Sequence, residues 1–181
     1  MKKYSITKPV GLEELCREVE LTCSKANIYK DCGRRPSHYI IPLDPGSGRT
    51  TFIEYMTDMY KEAGVLDFRS GLDDYIEITF DGTLPQLRQA FTEIAFAAVY
   101  ENYYHYRGIV GMDISNIALH LGETQFFEFI KNCKKVCEHA CVIFFVHSVP
   151  SRNEENLIEK ICKSIPDIKR LNTEPYTKED I

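Results

Sequence analysis

The chain has 181 residues, 44% of them hydrophobic and 27% charged, with a formal charge of −5. That composition suits one ordinary globular domain with a substantial core, and its acidic balance supplies no basic footprint for general nucleic-acid binding. No apolar run approaches the ~20 residues of a membrane span, the first residues lack a signal peptide's apolar centre, and seven cysteines without framework spacing fit reduced thiols. These features predict a single cytoplasmic domain.

Leu12, Leu15, Cys16, Val19 and Cys23 recur at helical spacing and predict an amphipathic helix. A polar connector follows at residues 30–36, where Arg34 and Arg35 read either as solvated surface or as a contact for phosphate or a partner. His38-Tyr39-Ile40-Ile41-Pro42 is a short apolar run that stops at Pro45-Gly46-Ser47-Gly48. A helical pattern starts directly afterwards: Phe52, Met56, Met59 and Ala63 share a face, and Gly64 marks its end. Strand, tight loop, helix is the context in which backbone N–H groups converge on an anion. The phosphate-binding pattern G-x-x-x-x-G-K-[ST] aligns with Leu43-Asp44-Pro45-Gly46-Ser47-Gly48-Arg49-Thr50, with Leu for the first glycine and Arg for the lysine. Taken alone, the stretch reads equally as a Pro-Gly turn joining a strand to a helix.

Beyond a polar linker at 67–73, Ile76, Ile78 and Phe80 alternate with Glu77 and Thr79, the pattern of a half-exposed strand. Asp81-Gly82 turns the chain, Thr83 can cap a helix, and Leu87, Phe91, Ile94 and Ala98 carry that helix to about Tyr103. Tyr100, Tyr103, Tyr104 and Tyr106 have only Arg107 beside them, which favours helix-end packing or a protein contact over base stacking. Gly108-Ile109-Val110-Gly111-Met112-Asp113 predicts a buried strand delivering Asp113 to the sheet edge, as a ligand or as a plain turn residue. After a loop at 116–122, Phe126, Phe129, Ile130, Cys133 and Cys137 describe a helix with Lys131, Lys134 and Lys135 towards its C-terminal end. Residues 140–146 form the most apolar run, without alternation, as in the centre of a parallel sheet, and end at His147-Ser148. A last helix spans 153–165, closed by Pro166, and residues 168–171 make a short strand. Strands alternating with helices predict a three-layer α/β/α fold on a mostly parallel five-stranded sheet.

Ligands of open α/β sheets bind at the carboxyl ends of strands, and three such ends here are polar: the loop, Asp113 and Ser148. Brought together, Asp44, Pro45, Gly46, Ser47, Gly48, Arg49, Thr50 and Thr51 would hold nucleotide phosphates. Thr50 and Asp113 would hold Mg²⁺, and Ser148 would sit near the terminal phosphate as a sensor. The constellation resembles the P-loop NTPases and, within them, the AAA+ core. Gly11-Leu12-Glu13-Glu14-Leu15 is similar to the box preceding that core, and Pro45-Gly46-Ser47-Gly48-Arg49-Thr50-Thr51 to a degenerate Walker A loop. Ile109-Val110-Gly111-Met112-Asp113 resembles a Walker B strand, Phe144-Phe145-Val146-His147-Ser148 a sensor strand, and residues 171–181 the lead into a helical lid, which the chain itself lacks.

The resemblance implies ATP with Mg²⁺, a ring or partner-bound assembly, and a sensor strand lying between the P-loop and Walker B strands. Three departures set its limits. Arg49 brings a planar fork where a compact ammonium is expected, Leu43 replaces glycine, and Ile114 stands where a water-activating glutamate usually follows the Walker B aspartate. Asp44, Asp81 and Glu123 are substitute bases that no sequence feature separates, so no catalytic residue is named. The expectation is one P-loop NTPase-like domain over 1–181: helix and connector to 36, core over 37–171, tail over 172–181. It binds ATP and Mg²⁺ and is at most a weak ATPase, with a protein partner or homo-oligomer and no membrane or direct nucleic-acid ligand. The alternative is a nucleotide-free interaction module that keeps the fold. Cys133, Cys137, His139 and Cys141 also admit a zinc reading against a plain core one, Cys32 a reactive-thiol reading, and Arg152 or Arg170 a role towards a neighbouring subunit.

Overall fold

Apolar runs bounded by Pro, Gly and polar residues become five strands: β1 (His38–Pro42), β2 (Tyr75–Ile78), β3 (Ile109–Asp113), β4 (Cys141–Val146) and β5 (Ile168–Arg170). The computed structural model describes residues 6–32, 35–68, 73–80, 83–99 and 108–172. The strands pair in the order β2-β3-β4-β1-β5, and every pairing is parallel. The sensor-like strand β4 therefore lies between β1 and β3, as the resemblance implies.

The helices are α1 (Glu13–Ser24), α2 (Ala26–Cys32), α3 (Arg49–Ala63), α4 (Leu84–Val99), α5 (Glu123–Cys137) and α6 (Arg152–Ser164). They cover both faces of the sheet because the strands alternate. Ile40, Val110, Met112, Val142 and Phe144 pack with α4, α5 and α6, whereas Tyr39, Ile41, Ile109, Ile143 and Phe145 pack with α1 and α3. β1, β3 and β4 are buried throughout, while the edge strands β2 and β5 are partly exposed. The absence of alternation in residues 140–146 follows from that central place, since both faces of β4 are covered. Gly111 lies at a close contact between layers: a Cβ there would lie 2.5 Å from Ile53 Cδ1 on α3 and 3.3 Å from the Phe145 ring.

Several boundaries differ from the sequence reading. The connector at 30–36 begins as helix, since α2 runs to Cys32 with Ala26 buried against the α1/α3 face. β2 stops at Ile78, and Phe80 is buried beyond the strand, so its burial comes from packing with α4. The 116–122 loop holds a 3₁₀ turn at Ile117–Leu119, and α5 begins at Glu123 behind Gly122. α6 starts at Arg152 behind its N-cap Ser151, whose hydroxyl accepts from Glu154 N–H at 3.3 Å while Glu154 accepts from Ser151 N–H at 2.8 Å. That reciprocal capping box was spelled in the sequence as Ser-x-x-Glu. Arg34, Asp81, Gly82, the Tyr100–Tyr106 group and the tail beyond Asn172 lie outside the described residues. No helix among the described residues is long and apolar enough to cross a membrane.

Candidate functional site

The chain leaves β1 at the middle of the sheet and enters α3 through residues 43–48. Leu43 stays in register, donating its N–H to Val146 O at 3.0 Å, and its side chain is buried in the core shared with α1 and α3. A branched residue is accommodated there because it turns inward. Ser47 N–H closes a turn onto Asp44 O at 3.1 Å. Gly46 and Gly48 have φ of +82° and +87°, values that side-chain-bearing residues rarely adopt, and Gly48 is the N-cap of α3. A Cβ on Gly46 would meet nothing within 4 Å, so the outer side of the loop is open. The N–H groups of the first turn of α3 consequently face a glycine loop at the carboxyl edge of the sheet, the arrangement that favours an anion.

Arg49 does not reach outward. Its Nε donates to Leu43 O at 2.6 Å, one terminal nitrogen is paired with Asp113 Oδ2, and the other lies 3.4 Å from Ser115 Oγ. The guanidinium carbon sits 5.1 Å from the centre of the Phe145 ring. Asp113 is 8% exposed, and its second oxygen accepts from Ser115 N–H at 3.0 Å and Ser115 Oγ at 2.5 Å. Arg49, Asp113 and Ser115 thus form one buried cluster joining the loop to β3. Burial of the pair is sustained because every oxygen of the carboxylate has a donor and the wide fork spans both the loop carbonyl and the carboxylate.

The other strand ends are also joined to the loop. Ser148 donates its N–H to Asp44 Oδ1 at 3.1 Å and its hydroxyl to Asp44 Oδ2 at 2.6 Å. These donors hold the Asp44 carboxyl below the usual carboxylate range, the hydroxyl contributing most. Glu154, 2% exposed, accepts from His147 N–H at 3.2 Å and faces His147 Nδ1 at 2.9 Å, so the β4–α6 turn is fixed from below. Thr50 donates its hydroxyl to the Glu77 carboxylate of β2, at 2.9 and 3.1 Å to its two oxygens.

The structure therefore gathers Asp44, Arg49, Asp113 and Ser148 at one edge, and adds Glu77, Ser115 and Glu154. Only Glu154 carried a sequence signal, through its capping box. Each of the two residues expected to hold Mg²⁺ is engaged elsewhere: Asp113 by Arg49 and Ser115, Thr50 by Glu77. So arranged, the pair does not fit an ion shared between them, and among the described residues no group of three or more His, Cys, Asp or Glu side chains could hold a metal. Of the substitute bases, Asp44 is committed to Ser148, Asp81 lies outside the described residues, and nothing is described of the Glu123 side chain. The zinc reading fails for a related reason. Cys133, Cys137 and Cys141 are buried core residues, and burial pushes the Cys137 thiol up to about 12 and raises the other two as well.

No protein-family model and no curated protein matches the chain. Solved structures do. A chain of the Escherichia coli MS115-1 HORMA:CdnC:Trip13 complex superposes with a TM-score of 0.55 at 13% identity, over 95% of this chain and 65% of that one. The Aeropyrum pernix ORC1 protein, solved in complex with DNA, gives 0.56 at 16% identity, over 99% of this chain and 49% of that one. The fold is α/β and P-loop NTPase-like. A γ-subunit-related protein of DNA polymerase III from Thermotoga maritima also matches, at 14% identity, over 90% of this chain and 47% of that one, with a TM-score of 0.44. The chain spans between about half and two thirds of the length of these structures.

Proposed function

We propose that this chain is a P-loop module that receives nucleotide phosphates on the backbone of residues 45–51 and does not turn the nucleotide over efficiently. The observation that carries the reading is the pairing of an open glycine loop with a committed arginine. Gly46 and Gly48 keep the left-handed geometry of a phosphate loop, while Arg49 is held by Leu43 O and Asp113. Binding needs the loop N–H groups. Hydrolysis needs in addition a free counter-cation, a metal ligand and a base, and Ile114, fully buried, offers no carboxylate beside Asp113. Calorimetric titration with ATP, alongside a phosphate-release assay, tests it. Saturable binding with release at the buffer background is expected. No heat at millimolar ATP, in the wild type and in Arg49→Lys alike, removes nucleotide from the reading.

The Arg49–Asp113 and Thr50–Glu77 pairs favour a second reading, a nucleotide-free interaction module on the same fold. Exposed Leu119, Phe127 and Val149 near the carboxyl edge would then meet a protein partner or a second copy. One structural neighbour comes from a complex of several proteins. Light scattering with and without ATP separates the two: assembly indifferent to nucleotide supports the second, and assembly that requires it supports the first.

A further inference from the structure

At the end of the sheet opposite the phosphate loop, a cavity of about 880 Å³ opens between the amino end of β1 and the C-terminal ends of α5 and α6. His38, the first residue of β1, lines it and is only 6% exposed. Its ring Nδ1 accepts the Val142 N–H at 3.2 Å, which places the proton of the neutral ring on Nε2. Burial holds the imidazole neutral by pushing its pKa down to about 4, against a smaller opposing pull from Asp167. Among the described residues nothing accepts the Nε2 hydrogen. The ring lines the cavity, where a ligand could take that hydrogen.

Four charged side chains line the same cavity: Arg35, Lys134, Glu138 and Asp167. None of their side chains makes a hydrogen bond or ion pair with another described residue. Asp167 is held at φ +57°, a conformation unusual for a residue other than glycine, and its carbonyl accepts the His38 N–H at 3.0 Å. The turn that carries this carboxylate is thereby tied to the strand that carries the imidazole. Cys137, Ile165 and Pro166 supply apolar wall.

We propose that this cavity is a binding site for a small zwitterion of the amino-acid class with an apolar side chain. Its carboxylate is received by His38 Nε2–H with Arg35 and Lys134, and its ammonium by Glu138 and Asp167. Two cations and two anions cancel within the lining, so a ligand of a single charge leaves one pair unanswered, whereas a zwitterion answers both. The volume falls in the range of about 300–1,000 Å³ typical of small-molecule sites, and the apolar wall takes the side chain. The site shares no residue with the phosphate loop and stands independently of any nucleotide reading.

The test uses leucine, 4-methylpentanoate and 3-methylbutylamine, which carry both charges, the carboxylate alone and the ammonium alone. Binding is followed by ¹⁵N NMR of the His38 ring and by calorimetry on the full chain. Leucine is expected to shift the Nε2 resonance saturably and to bind at least about tenfold more tightly than either analogue, a difference of about 1.4 kcal/mol. Lys134→Gln and Glu138→Gln alter exposed residues at the C-terminal end of α5, and each should weaken leucine about tenfold while leaving the circular dichroism spectrum unchanged. An analogue that binds as tightly as leucine overturns the zwitterion assignment. No His38 response to any of the three, or undiminished leucine binding in both variants, overturns the site.

Discussion

Removing Arg49 should cost more stability than removing any exposed charge of this chain, and the cost should depend on whether Asp113 is still there. In Arg49→Met the buried Asp113 carboxylate keeps only the Ser115 N–H and hydroxyl, and an ionised group stripped of its partner costs about 3–5 kcal/mol. The Ser115 donors remain and the site borders solvent, so the lower end, about 3 kcal/mol, applies. In Asp113→Asn the guanidinium keeps Leu43 O and the Phe145 ring, and the cost falls to about 2 kcal/mol. The double variant buries neither charge unpaired. Its loss should therefore be about 2 kcal/mol smaller than the sum of the single losses, within the range found for residues in direct contact. Urea unfolding followed by far-ultraviolet circular dichroism measures all four proteins. Losses that add to within about 0.5 kcal/mol would show that the pair does not act as a unit, and the closed-cluster reasoning would fail.

Three further outcomes follow from other buried groups. His38 titrates near 4 in the folded chain and near 6.5 when unfolded, so the unfolded state binds more protons between those values; the stability contribution is complete above pH 6.5 and is lost as pH falls to 4. The loss is about 3 kcal/mol, and a His38→Gln variant whose stability falls as steeply over that window would refute it. Thr57 is 4% exposed and its hydroxyl has no partner among the described residues, so Thr57→Val should raise stability by about 1 kcal/mol in urea unfolding, and a decrease would contradict the orphaned hydroxyl. Gly111→Ala drives a methyl into Ile53 and Phe145; about 1–3 kcal/mol should be lost, and an unchanged midpoint would mean that α3 yields freely.

What could be read from the chain alone was whatever local pattern encodes. The unalternated run over 140–146 announced a central strand, the Pro-Gly-Ser-Gly stretch at 45–48 a tight loop, and Gly64 a helix end, because burial periodicity and turn chemistry leave direct marks in residue type. The strand order and the position of β4 beside β1 were legible only through the resemblance, since periodicity says nothing of which strand pairs with which. The partners of the site residues were not legible at all. Arg49 read as a substitute for a phosphate-binding lysine, and only the approach of β3 to the loop showed that its guanidinium answers Asp113 and Leu43 O. Glu77, a polar position in a half-exposed strand, became the partner of Thr50 across 27 residues. His38 read as the start of a strand, and its ring tautomer was fixed by a hydrogen bond from Val142, 104 positions away. Sequence determined where the backbone could hold an anion, because that depends on glycine and a helix start. Tertiary structure decided which charges remain available there, because each is settled by whichever group another strand brings within reach.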